Sequence, residues 1–252
     1  MQPLAANVDC AFIVNAVDGG RGYNVRRLER WLAIAGEGGV EPAIVLNKAD
    51  LCADLDAVLA ETDVVAPGVP IFVTSAVTGQ GLDELRRHVA RGRTGVFLGL
   101  SGVGKSALLN RLVGEAVQGV APVREADRRG RHTTTDRELF ALPGGGAIID
   151  TPGLREVQLP GHEGLDSAFP DIEWLADACR FHDCRHHGEP GCAVQLALAE
   201  GTLDPQRFEN YLQLQRELAY LARQTDRRAQ REHRAKWKQI SKDRKQLKKD
   251  GN

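Results

Sequence analysis

The chain has 252 residues, 42% of them hydrophobic and 27% charged, with a formal net charge of −1. This is the composition of a globular protein of one large or two smaller domains, and it excludes a disordered or fibrous chain. No run of 18 apolar residues is present and the opening residues lack a basic, then apolar secretion signal, so the expectation is a cytoplasmic protein with no membrane attachment.

In that compartment the five cysteines are expected reduced, and clustered cysteines read as metal ligands rather than disulfides. The near-zero net charge hides an asymmetry. Residues from Leu221 to Asn252 carry twelve Lys/Arg against four Asp/Glu, while the first 220 residues carry 21 against 30. A basic tail on an acidic body points to a polyanionic partner, or else to a solvated helix face or disordered end.

Ala11–Val17 (AFIVNAV) reads as a strand and Asp18-Gly19-Gly20-Arg21-Gly22 as a loop. Asn24 then caps a helix through about Ala35, with Val25, Leu28, Trp31, Leu32 and Ala35 on one face. A second buried strand, Ala43–Leu46, ends in Asn47-Lys48-Ala49-Asp50. This N-K-x-D pattern after a buried strand reads as a guanine-specifying loop. The Asp50 carboxylate can accept from N1–H and the exocyclic amine of guanine, both absent from adenine, and an unpaired buried acceptor costs about 1–3 kcal/mol. Asn47 is placed to bond the base and tie this loop to the phosphate loop, and the Lys48 stem to cover the base plane. The plainer alternative is that Asn47 caps a helix over Leu51–Ala60. A third strand, Val69–Val73, runs into Ser75-Ala76 and then Thr78-Gly79-Gln80-Gly81-Leu82, which reads as a second base loop whose Ala76 N–H would meet guanine O6.

Gly99–Ser106 (GLSGVGKS) matches G-x-x-x-x-G-K-[ST], between the strand-like Gly95–Leu98 and helical spacing through Val113. Gly99, Leu100, Ser101, Gly102, Val103 and Gly104 would turn backbone N–H groups onto phosphate oxygens, with Ala107 at the helix start adding its dipole. Lys105 would reach the β- and γ-phosphates and Ser106 would ligate Mg²⁺. Downstream, His132-Thr133-Thr134-Thr135 offers a first switch, with Thr134 as a second Mg²⁺ ligand. The strand Ala147–Ile149 then ends in Asp150-Thr151-Pro152-Gly153, where Asp150 would hold Mg²⁺ and the Gly153 N–H would meet the γ-phosphate. All the motifs of a GTPase are therefore present, but the base loops precede the phosphate loop. The fold expected is a circularly permuted α/β P-loop domain with a mostly parallel sheet.

Cys179, Cys184, His186 and Cys192 fall within fourteen residues, a spacing suited to a closed, structural tetrahedral Zn²⁺ site, with His182 and His187 as competing ligands. Two helices follow, Ala193–Glu200 and Pro205 to about Arg223, then a basic tail from Arg227 to Lys249 interleaved with Trp237, Ile240 and Leu247.

The permuted order, the phosphate loop, Arg131-His132-Thr133-Thr134-Thr135, Asp150–Gly153 and the cysteine–histidine spacing together resemble the ribosome small-subunit-dependent GTPases called RsgA. The resemblance covers nearly the whole chain. It implies a GTPase that binds GTP and GDP, docks on the 30S subunit and 16S rRNA late in assembly, and leaves on hydrolysis. It also implies Cys179, Cys184, His186 and Cys192 as the zinc ligands. Members of that family carry an OB-fold ahead of this point, whereas this sequence opens at the GTPase domain. The alternative is therefore a GTP-binding, RNA-binding module with little turnover. Two units are expected, a GTPase domain over 1–165 and a helical zinc domain with the basic tail over 166–252, in a monomer. Leu154 stands where a water-orienting glutamine acts in Ras-like enzymes, and Gly102 stands where some GTPases bind K⁺ through an asparagine. Unaided hydrolysis should be slow, about 10⁻⁴ s⁻¹, and His132 is the candidate catalytic residue.

Overall fold

Every residue of β1 (Cys10–Ala16) is buried, which demands cover on both faces of the sheet it joins. The computed structural model, which describes residues 5–89, 92–114, 138–151 and 163–225, supplies that cover. In chain order come β1, α1 (Val25–Glu37), β2 (Glu41–Asn47), a 3-10 turn at Ala49–Leu51, α2 (Leu55–Val65), β3 (Ile71–Val73), α3 (Leu82–His88), β4 (Thr94–Leu98), α4 (Lys105–Val113), β5 (Glu138–Ala141) and β6 (Ala147–Asp150). Four helices follow, α5 (Glu163–Ala168), α6 (Pro170–Asp177), α7 (Ala193–Glu200) and α8 (Pro205–Thr225).

Among the described residues the sheet has the order β3-β2-β1-β4-β6-β5, all parallel except the edge strand β5. Successive side chains of a strand point to opposite faces. Ala11 and Ile13 accordingly enter one apolar cluster with Ile44, Leu46, Val96 and Leu98, while Cys10, Phe12 and Val14 enter another with Val45 and Phe97. The second face is closed by Leu82 and Leu85 of α3 and Leu108, Leu109 and Leu112 of α4. The first is closed by α1 and, continuously with it, by Leu165, Phe169, Ile172, Val194, Phe208, Leu214 and Leu218 of the C-terminal helices. The apolar core therefore runs from the sheet through α1 into α8, and α5 straddles the expected division at residue 165.

Polar contacts weld the same junction. An added Cβ at Gly164 would lie 1.9 Å from the Ala33 carbonyl, so α5 can approach α1 this closely only with glycine there. The Gly164 N–H donates to Glu37 Oε2 at 2.9 Å. Arg207 on α8 donates to Glu29 of α1 at 2.6 Å and to both carboxylate oxygens of Asp171 on α6, at 2.7 and 2.9 Å. Its guanidinium lies over Phe169, 4.7 Å from the ring centre. Glu29 also accepts from Arg26 and Asn210, and Arg30 grips Glu217 with two nitrogens.

Asn24 caps α1 as expected, its side chain accepting from Arg27 N–H at 3.0 Å. The helix after β2 starts four residues later than expected. Asp54 caps it at Leu55, and Asn47 is engaged elsewhere. The sequence reading did not anticipate β5, α5 or α6. Among the described residues no helix is long and apolar enough to cross a membrane.

Candidate nucleotide site and metal centre

The chain runs outward from β1 through β2 and β3, then returns to β4 on the other side of β1. That reversal opens a crevice beyond the carboxyl ends of β1 and β4, the usual place for a ligand in an open α/β sheet. The loop Gly99–Gly104 turns there between β4 and α4. Gly99 and Gly104 hold φ of +143° and +100°, and an added Cβ would meet the Val14 carbonyl at 2.4 Å or Asn47 Nδ2 at 2.3 Å. Both positions need glycine on conformation and on space. Val103 is buried and pins the loop to the α3–α4 face, while Ser101 is half-buried and Gly102 exposed. Ser106 and Ala107, both half-buried, occupy the first turn of α4.

Lys105 is buried, its Nζ donating to the carbonyls of Gly99 at 3.0 Å and Leu100 at 2.9 Å. Burial pushes its ammonium down to about 8, against the pull of Asp150. Ser106 Oγ donates to Asp150 Oδ2 at 3.4 Å, and Asp150, at the end of β6, is fully buried. The strand end is fixed beside it by Thr151 Oγ1, which donates to the Phe97 carbonyl at 2.7 Å. A hydroxyl and a buried carboxylate facing each other at the lysine suit a hard divalent cation brought with a phosphate.

Asn47 joins three loops. Its Nδ2 donates to the Val103 carbonyl at 2.9 Å, and its Oδ1 accepts from Thr74 Oγ1 at 3.3 Å and from the Ala76 N–H at 3.4 Å. Lys48 takes the left-handed conformation, φ 64° and ψ 35°, and its ammonium pairs with Asp18 at 2.7 Å. Ala49 N–H donates to the Thr74 carbonyl at 3.1 Å, and Asp50 is exposed at the mouth of the crevice. Buried Ser75 shapes its own turn, Oγ accepting from Val77 and Thr78 N–H. The two expected base loops and the phosphate loop thus lie together at the carboxyl ends of β2, β3 and β4. His132, Thr134 and Gly153 lie outside the described residues, as does the basic tail from residue 226.

Between α6 and α7, ligand atoms of Cys179, Cys184, His186 and Cys192 lie within 4.8 Å of one another. Cys179 Sγ is 3.8 Å from Cys192 Sγ and 3.6 Å from His186 Nδ1, which is 3.4 Å from Cys192 Sγ. A tetrahedron with Zn–S near 2.3 Å has edges of about 3.8 Å, shorter where nitrogen replaces sulfur, so the cluster fits zinc. Outer contacts hold it. Cys192 caps α7, taking the Gln195 N–H, and the Gln195 side chain donates to the His186 carbonyl at 2.6 Å. Glu189 accepts from the backbone of Arg185 and His187. His182 and His187, the competing ligands, are exposed and outside the cluster.

A family model described as RsgA GTPase matches residues 1–160, well over half of the chain. The chain belongs to the RsgA GTPase family. A relative from Opitutus terrae, named small ribosomal subunit biogenesis GTPase RsgA, is 48% identical over 241 residues, covering 95% of this chain. The chain spans 65% of that relative's length, just under two thirds. Among solved structures, YjeQ from Thermotoga maritima shares 33% identity at a TM-score of 0.61, with 84% of this chain and 72% of that one covered. YloQ, described as a circularly permuted GTPase, shares 28% identity at the same TM-score, covering 84% of this chain and 69% of its own. Both the permuted RsgA arrangement and the mostly parallel sheet are therefore as the motif order implied. One residue near the RsgA motifs escaped the sequence reading. Asp18 follows a different strand, thirty residues before Lys48, and no local pattern links the two.

Proposed function

We propose that this chain hydrolyses GTP to GDP and phosphate and couples the reaction to binding and release of the small ribosomal subunit late in its maturation. The observation that carries the reading is the Asn47–Val103 bond, which locks the N-K-x-D loop to the phosphate loop in a chain of this family. Base and phosphate recognition are thereby held at a fixed spacing. Relatives named small ribosomal subunit biogenesis GTPase RsgA support the ribosomal partner.

In this reading Asp50 accepts from the guanine edge, the Ala76 N–H donates to O6, and the N–H groups of Gly99–Ser106 surround the phosphates. Lys105 exchanges the Gly99 and Leu100 carbonyls for phosphate oxygens, whose negative charge favours its buried ammonium. Mg²⁺ carried with GTP would be held by Ser106, Asp150 and Thr134 and would neutralise phosphate charge. His132 is assigned the catalytic role, acting at the attacking water or the γ-phosphate when the subunit is bound, and the Gly153 N–H meets the γ-phosphate. Zn²⁺ at Cys179, Cys184, His186 and Cys192 is structural, since four protein ligands leave no open position. The division into a GTPase unit over 1–165 and a zinc unit over 166–252, 16S rRNA as the docking surface, a monomeric state and a cytoplasmic location complete the proposal.

The test is the single-turnover GTP hydrolysis rate with and without purified 30S subunits. Strong stimulation is expected. Intact GTP binding with no stimulation would refute the coupling for this chain. An unchanged stimulated rate in His132→Ala would remove the role given to His132.

A further inference from the structure

The Asp18–Lys48 pair lies outside the roles assigned so far. Asp18 stands just beyond β1, and Lys48 just beyond β2. The two loops are joined by the Val17 N–H donating to the Asn47 carbonyl at 2.9 Å. Both side chains are about three-quarters buried, and the ammonium meets Asp18 Oδ2 at 2.7 Å. The other oxygen, Oδ1, accepts from the Gly20 N–H at 3.1 Å, so the carboxylate is fixed by its own turn before the lysine arrives. The left-handed backbone at Lys48 fixes where its side chain leaves the loop.

We propose that Asp18 is a positioning residue for base recognition, holding the Lys48 ammonium so that the lysine stem is laid in advance where the guanine plane will rest. The inference rests on the nucleotide reading above. A lysine stem free in water must lose its rotamer freedom when a ligand arrives, whereas one anchored at its tip has lost it beforehand. The anchor must be an anion. A neutral amide that kept its oxygen on Gly20 would turn an NH₂ group toward the ammonium.

The experiment is isothermal titration calorimetry with GDP and, separately, with inorganic pyrophosphate. It compares wild type with Asp18→Asn, Asp18→Glu, Lys48→Ala and the Asp18→Asn/Lys48→Ala double variant. Pyrophosphate occupies the phosphate loop and never touches the base position. Asp18→Asn should weaken GDP by about 3- to 10-fold, the size of one side chain's ordering, and leave pyrophosphate affinity unchanged. Asp18→Glu should recover most of the loss, and Asp18→Asn should add nothing in the Lys48→Ala background. Equal or tighter GDP binding by Asp18→Asn, a parallel loss of pyrophosphate affinity, or an added effect in the double variant would overturn the positioning role. A wild-type chain that binds pyrophosphate but not GDP would overturn the guanine reading itself.

Discussion

Asn47 uses both ends of its amide inside the protein, giving to the phosphate loop and receiving from the loop after β3. Replacing it with alanine would strand the Val103 carbonyl and the Thr74 hydroxyl in a buried position. Asn47→Ala is therefore expected to lose about 1–3 kcal/mol in urea unfolding and at least tenfold in GDP affinity. A stable variant with unchanged affinity would show that the three loops hold their spacing without it. Asp18 yields a pH effect. Burial alone would raise its carboxyl, but hydrogen bonds from Lys48 and Gly20 outweigh this and hold it below the usual range. Because the folded value lies below the unfolded one, the stabilisation is complete above the ordinary carboxylate range and is lost as pH falls through the folded value. The stability gap between wild type and Lys48→Met should shrink below about pH 4, as followed by urea titrations at a series of pH values. The phosphate-loop pattern was legible because its signal is contiguous, although the collisions its Gly99 and Gly104 avoid come from Val14 and Asn47 on other strands. The Asp18 contact was not, because the sheet creates it.

At the scale of elements the same distinction holds. The strands β1, β2 and β4 announce themselves as apolar runs, since burial on both faces leaves no polar alternation. By contrast β5 has four residues, three of them exposed, and α5 has six. Elements this short have too few turns or alternations to show a period, and they form because β6 and α1 supply their partners. The junction of α1, α6 and α8 depends on Arg207, whose side chain is 4% exposed beside a Glu29 that is fully buried. Arg207→Met keeps the volume but leaves that carboxylate facing fewer donors. It should destabilise by about 3–5 kcal/mol, the usual result of breaking a buried pair from one side. Thermal unfolding measures this, and a loss below about 1 kcal/mol would mean that Arg26 and Asn210 suffice for Glu29.

For the whole molecule, the shared core makes the metal centre a matter of global stability. Cys192 sits in the same apolar cluster as Ala11 and Ile13, and it also caps α7. Stripping zinc with a chelator should move a single calorimetric transition downward, with the sheet and the C-terminal helices melting together. Two separate transitions would instead mean that the units unfold independently. The cysteine–histidine spacing was readable in the sequence, whereas its energetic link to the nucleotide sheet became visible only when α1 and α8 were seen back to back.

That contact also has a consequence in time. During synthesis Glu29 of α1 leaves the ribosome 178 residues before its α8 partner Arg207. Domains that emerge first ordinarily fold first, yet the core cluster that α1 shares with the sheet stays incomplete until Phe208, Leu214 and Leu218 of α8 have been made.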